Sequence, residues 1–113
     1  MKFWGKVRRH NQRGKKLGFP TANINLNKDI PEGIYISKIK IRGSVYPSLT
    51  FIGQVAVAET YILDFSKNIY DRWITVELIK KIRNNQKFGS DDDLIKQMKK
   101  DKAETRKYFK LDS

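Results

Sequence analysis

A period of two dominates this chain and limits what it can fold into. Thr21 to Leu26 alternates polar and apolar side chains. Ile34 to Ile41 does the same with β-branched residues, Ile34, Ile36 and the stem of Lys38 on one side and Tyr35, Ser37, Ile39 and Ile41 on the other. Such alternation sends successive side chains to opposite faces of a strand. Phe3 to Arg8, Leu49 to Ile52, Val55 to Phe65 and Ile69 to Ile79 supply further extended runs, the third softened at Ala58. The links are short. Asn27 to Gly33 holds Asp29 and Pro31, Asn68 marks a turn, and Arg42-Gly43-Ser44 leads into Val45-Tyr46 as a hairpin that Pro47 is expected to end. Five or six strands on tight links predict a small closed barrel with few free edges.

Beyond these strands the period changes. Ser90 is a natural N-cap, and Asp91, Asp92 and Asp93 place negative charge at the positive end of a helix dipole. Leu94, Ile95 and Met98 form an apolar stripe, which Tyr108 and Phe109 are expected to continue, while Lys and Arg crowd the later turns. A helix is predicted from about Asp91 to about Tyr108. Its acidic start has this structural role, so the three aspartates are not read as a metal site.

At 113 residues the chain is one small domain, long enough for a core without staples. It has no cysteine, hence no disulfide framework and no thiolate metal site, which fits a reducing cytoplasm. No apolar run approaches the roughly 20 residues of a membrane span, and Met1 to Arg9 lacks the apolar stretch of a secretory signal. A soluble, cytoplasmic and monomeric domain is expected. Twenty-four Lys+Arg against 12 Asp+Glu give a formal charge of +12. That charge favours anionic partners: nucleotide phosphates, nucleic acid or an anionic surface. A plain solvated lysine-rich surface explains many of these residues equally well.

Neither the G-x-x-x-x-G-K-[ST] nor the G-x-G-x-x-G phosphate motif is present. The single histidine, His10, has no Cys or second His beside it, which argues against zinc or a histidine triad. What remains is a basic, glycine-containing run from Arg13 to Ile24. Gly14 and Gly18 allow close backbone approach to a ligand, and Lys15 and Lys16 can meet phosphate oxygens. Thr21 and Asn23 are two apart, on one face of a strand, where a hydroxyl and an amide can help hold a Mg²⁺ ion bound mainly to phosphates. Taken alone, these residues more commonly make a surface loop whose Thr and Asn satisfy a turn. Glu59, at the start of an apolar strand, suits a general base for a hydroxyl nucleophile, or an ordinary strand-end charge. Asp64 is a weaker candidate for the same role.

Gly5-Lys6-Val7, the run Arg13 to Ile24 with its Pro20-Thr21-Ala22-Asn23, Glu59 to Phe65 and Ile69-Tyr70 resemble the riboflavin kinase family. So do Arg83, Lys87-Phe88 and a helix carrying Leu94, Gln97 and Asp101. The resemblance covers nearly the whole chain, 1–113. It is to the C-terminal kinase domain of bacterial bifunctional riboflavin kinase/FMN adenylyltransferases. It implies a six-stranded antiparallel Greek-key barrel with a C-terminal helix, and transfer of the ATP γ-phosphate to the ribityl 5′-hydroxyl of riboflavin, giving FMN and ADP. By position, Thr21 and Asn23 would contact Mg²⁺ and the ATP phosphates. The loop from Arg8 to Gly18, with Gly14, Lys15, Lys16 and Gly18, and then Pro20, would lie over the nucleotide. Glu59 would activate the hydroxyl, and Arg83 and Phe88 would border the flavin.

Four departures from the family pattern stand out: His10 and Asp71 in place of glycines, Phe51 in place of an Asn, and a short connection from Gln54 to Ala58 without the usual Arg-Pro-Thr. They bear on the flavin side more than the nucleotide side. FAD synthesis is not expected of these residues. Two other readings use the same features. One is a barrel that binds flavin or nucleotide without turnover. The other is a nucleic-acid-binding barrel built on the charge and on Trp4, Tyr35, Tyr46, Tyr61, Tyr70 and Trp73; core packing is expected to account for most of those aromatics.

Overall fold

The computed structural model describes residues 1–8, 18, 21–53 and 56–111. Among them six strands and one long helix are formed: β1 (Lys2–Arg8), β2 (Ala22–Asn25), β3 (Gly33–Ile41), β4 (Ser44–Ile52), β5 (Val57–Ile62), β6 (Trp73–Arg83) and α1 (Asp91–Tyr108). The strands close into an antiparallel barrel in the order β1-β2-β5-β4-β3-β6. β3, β4 and β5 follow one another through hairpins, and β2 lies beside β5 rather than β3, which is a Greek-key connection. Closure leaves no free edge.

Parity decides what faces inward. Phe3 and Val7, Ala22 and Ile24, Tyr35, Ile39 and Ile41, Ile52, Ala58 and Ile62, and Ile74, Val76 and Leu78 fill the barrel. The alternation expected in β3 holds, with Tyr35, Ser37, Ile39 and Ile41 inside. Gly5 takes an inward position opposite Ile24, and a Cβ there would run into the Ile24 side chain. Four hydroxyls also point inward, all fully buried: Ser37, Ser48, Thr50 and Thr60. They satisfy one another, Ser37 Oγ at 2.7 Å from both Ser48 Oγ and Thr50 Oγ1, and Thr50 Oγ1 at 3.0 Å from Thr60 Oγ1. Buried hydroxyls left unpaired would each cost about 1–3 kcal/mol.

A second apolar cluster lies outside the barrel, where α1 covers it. Ile34, Leu49, Tyr61, Leu63 and Met98 are buried together, with Phe51, Ile82, Leu94 and Ile95 around them. The helix starts as expected: Ser90 is extended, and its side chain accepts from the Asp93 amide at 3.2 Å. Its inner face then departs from the expected stripe. Beyond Met98 it continues through Asp101 and Thr105, both buried, while Tyr108 is exposed.

Pro47 does not end β4, which runs through it from Ser44 to Ile52. The Pro47 carbonyl accepts from the Leu63 amide at 3.0 Å. Since N–H and C=O of one residue point the same way from a strand, the missing N–H is on that side too. The ladder to β3, in which Pro47 sits opposite Lys38, loses nothing. The hairpin at Arg42-Gly43 has positive φ at both residues, 49° and 87°, as a two-residue turn matching strand twist requires. The run expected over Ile69 to Ile79 is displaced: β6 begins at Trp73, after a turn in which Asp71 takes φ 66° and its amide donates to the Val7 carbonyl, and it continues to Arg83. Ala58 interrupts nothing; it is fully buried within β5. Core packing does not account for the tryptophans: Trp4 and Trp73 are 67% and 65% exposed.

Candidate active site

β2 and β5 carry the central pair. In their register Asn23 lies opposite Glu59, and Glu59 in turn lies opposite Phe51 of β4. Directly opposed residues project to the same face, so Asn23 and Glu59 share the outer side of the barrel wall. Glu59 stands mid-strand rather than at the strand's entrance. Asn23 is 2% exposed. Its Oδ1 is buried without a hydrogen-bond partner among the described residues. A buried amide oxygen left without a partner is costly, and such orphans in native proteins call for an explanation.

Two clefts flank this pair. Glu59 lines an outer cleft of about 480 Å³ with Phe51, Arg83, Asn85, Phe88 and Leu94. Thr21 lines another, of about 430 Å³, with Val7, Thr60, Ile62 and Tyr70. Parity separates them, because neighbouring residues Glu59 and Thr60 point to opposite faces of β5. Thr21 stands one residue before β2, so strand alternation does not hold it to the side of Asn23. Gly18 is exposed with φ +90°. Gly14, Lys15, Lys16 and Pro20 lie outside the described residues, as do His10, Gln54 and Val55.

Arg83, in the wall of the outer cleft, is held by several hydrogen bonds. Its Nε donates to Asp101 Oδ1 and Oδ2 at 3.0 and 3.1 Å, and its Nη2 to Oδ2 at 2.7 Å. Gln97, one turn earlier on α1, donates to Asp101 Oδ1 at 3.0 Å. The guanidinium carbon is 5.9 Å from the Phe88 ring centroid, within cation–π range. Asn85 donates to the Ile52 carbonyl at 2.9 Å and pins the segment after β6 against β4. Sequence reasoning picked out Arg83, Phe88, Gln97 and Asp101 only by resemblance. Asp64, by contrast, is bound to Arg106 at 2.9 and 3.1 Å and sits at φ 54° in a turn. It lines neither cleft and is occupied in holding α1.

Among the described residues no group of three His, Cys, Asp or Glu could hold a metal ion. Also among the described residues, no helix is long and apolar enough to cross a membrane.

A riboflavin kinase family model matches residues 1–109. The chain is 37% identical to the bifunctional riboflavin kinase/FMN adenylyltransferase of Haemophilus influenzae, over 96% of this chain and 38% of that protein. It is 39% identical to the protein of the same name from Buchnera aphidicola, over 95% and 38%. It thus spans little more than a third of these relatives. Among solved structures, riboflavin kinase from Trypanosoma brucei superposes with a TM-score of 0.69 at 26% identity, covering 96% of this chain and 79% of that one. A Streptococcus pneumoniae protein described as a macrolide-efflux protein superposes with a TM-score of 0.87 at 33% identity, over 93% and 38%. With a family model spanning almost every residue and the barrel shared with a riboflavin kinase structure, this chain belongs to the riboflavin kinase family.

Proposed function

We propose that this domain transfers the γ-phosphate of ATP to the ribityl 5′-hydroxyl of riboflavin, releasing FMN and ADP. The observation that carries the reading is the opposition of Asn23 and Glu59 across β2 and β5. It sets a carboxylate next to a buried amide oxygen that has no partner among the described residues. Glu59 borders the cleft that Arg83 and Phe88 also line, which fits an acceptor site with an aromatic and a cationic wall. Glu59 takes the proton from the 5′-hydroxyl as its oxygen bonds to the γ-phosphorus and the bond to ADP breaks.

Thr21 and Asn23 are the protein groups that would contact Mg²⁺. Both offer the hard oxygen that this ion prefers, and the Oδ1 of Asn23, without a partner among the described residues, fits such a ligand. When bound, Mg²⁺ offsets charge on the phosphates. The chain's own share of catalysis is positioning: in-line approach of hydroxyl and phosphate beside the Asn23–Glu59 pair on the outer face of β2 and β5. Lys15 and Lys16 are expected to assist phosphate binding by at most about 1 kcal/mol each.

The test is incubation with ATP, Mg²⁺ and riboflavin, with FMN resolved by chromatography. Robust turnover is expected, and Glu59→Gln should lower it roughly a hundredfold or more while both substrates still bind. Activity that survives the substitution removes Glu59 from the mechanism. Ligand binding without FMN formation by the unaltered domain rejects the kinase reading.

A further inference from the structure

α1 packs over β4 and over one end of β3 and β6, at Ile34 and Ile82, and the outer wall around Trp4 and Trp73 of β1 and β6 is exposed. Its pairing gives an ordered grid. Lys2, Glu77 and Lys38 lie in one row, Trp4, Thr75 and Lys40 in the next, and Lys6 and Trp73 in a third. Trp4 and Trp73 are therefore diagonal neighbours on adjacent strands, a spacing of about 7–8 Å. They are the chain's two tryptophans, both about two-thirds exposed, and neither lines the clefts around Thr21 and Glu59. Inward positions of the same strands, Phe3, Val7, Ile74 and Val76, carry the core, so the barrel needs neither indole for its packing.

We propose that this face binds single-stranded nucleic acid, its bases stacking on Trp4 and Trp73 and its phosphates meeting Lys2, Lys6, Lys38 and Lys40. The binding is separate from the phosphotransfer reading and does not depend on it. Charge selects the occupant. Four lysines stand around the indoles with Glu77 as the one carboxylate in the grid, in a chain of net charge +12. A second copy would bring the same positive face and be repelled. A bilayer would need a continuous apolar patch to insert, whereas each indole here has a lysine or threonine directly opposite it. A single strand offers a π-face and a negative charge at every nucleotide, and a flat basic sheet with aromatic platforms suits that repeat. A duplex hides its base faces and keeps only the charge.

Because both tryptophans lie on this face, intrinsic fluorescence reports on it directly. Titration of the domain with a short oligothymidylate should quench the emission saturably, and the affinity should fall steeply as salt rises. Anisotropy of a labelled strand should show about a tenfold or greater loss of affinity in Trp73→Ala and in Trp4→Ala, as loss of one stacked base predicts. The double Trp4→Phe/Trp73→Phe variant should retain most of it. FMN formation and the thermal melt should be unchanged in all of them. The proposal is overturned by no binding of the strand, or by equal affinity in the alanine variants. It is equally overturned if phosphatidylserine vesicles quench while the strand does not, or if the tryptophans instead mediate a concentration-dependent dimer.

Discussion

Arg83 at the end of β6 grips Asp101 in the middle of α1 through both carboxylate oxygens, the shortest contact being 2.7 Å. The two are 17% and 2% exposed at the side chain. This link fastens the helix to the barrel and at the same time holds a cation in the wall of the Glu59 cleft. Removing one partner of such a pair leaves a buried charge uncompensated. Asp101→Ala is expected to cost about 3–5 kcal/mol in denaturant unfolding and to weaken riboflavin binding. Arg83→Lys cannot reproduce the fork and should lose a smaller part of both. Wild-type stability in Asp101→Ala would show that the pair is dispensable.

Asn23→Leu separates folding from ligand binding. It removes an amide oxygen that has no partner among the described residues and keeps a similar volume. Stability should hold or rise by about 1 kcal/mol, while Mg²⁺-dependent ATP binding by calorimetry should be lost. Thr21→Ala should weaken the same binding with the fold intact. Unchanged ATP affinity in both variants would remove β2 from the nucleotide site.

The buried hydroxyl chain gives a test inside the barrel. Thr50 bonds to both Ser37 and Thr60. Thr50→Val keeps the shape but takes away the shared partner, and should cost about 1–3 kcal/mol by chemical denaturation. Thr60→Val, at the end of the chain, should cost less. Equal costs would mean that the hydroxyls act independently.

Gly5→Ala should destabilise by about 1–3 kcal/mol through overpacking against Ile24. Pairing it with Ile24→Val should recover part of the loss, so the double-mutant cycle should show coupling of about 0.5 kcal/mol or more. Additive losses would place the strain elsewhere.

Asp64→Asn should leave the rate of FMN formation unaltered. Its carboxylate is engaged by Arg106 at 2.9 Å and is largely exposed, so the stability change should stay below about 1 kcal/mol. A large fall in rate would return Asp64 to the list of possible bases.

Local physics was enough for much of this molecule. Side-chain parity in β3, the capped start of α1 at Ser90 and the Arg42-Gly43 hairpin each depend on a few neighbouring residues, and each is legible in the order of amino acids. Spacing raised Thr21, Asn23 and Glu59 beside plainer readings; resemblance gave those three their roles and added Arg83 and Phe88, which no local pattern singles out. Tertiary pairing decided the rest. Asn23 and Glu59 are opposed because β2 lies beside β5, a neighbour far along the chain. Pro47 is harmless because its missing amide points away from the ladder to β3. Asp101 belongs to the inner face of α1 because Arg83 waits at the end of β6. Trp4 and Trp73 obey the same alternation as their neighbours, but only the closed barrel determines that, among the described residues, their wall stays exposed. A strand's two faces are set by its own sequence; what each face meets is set by partners that the chain brings together only on folding.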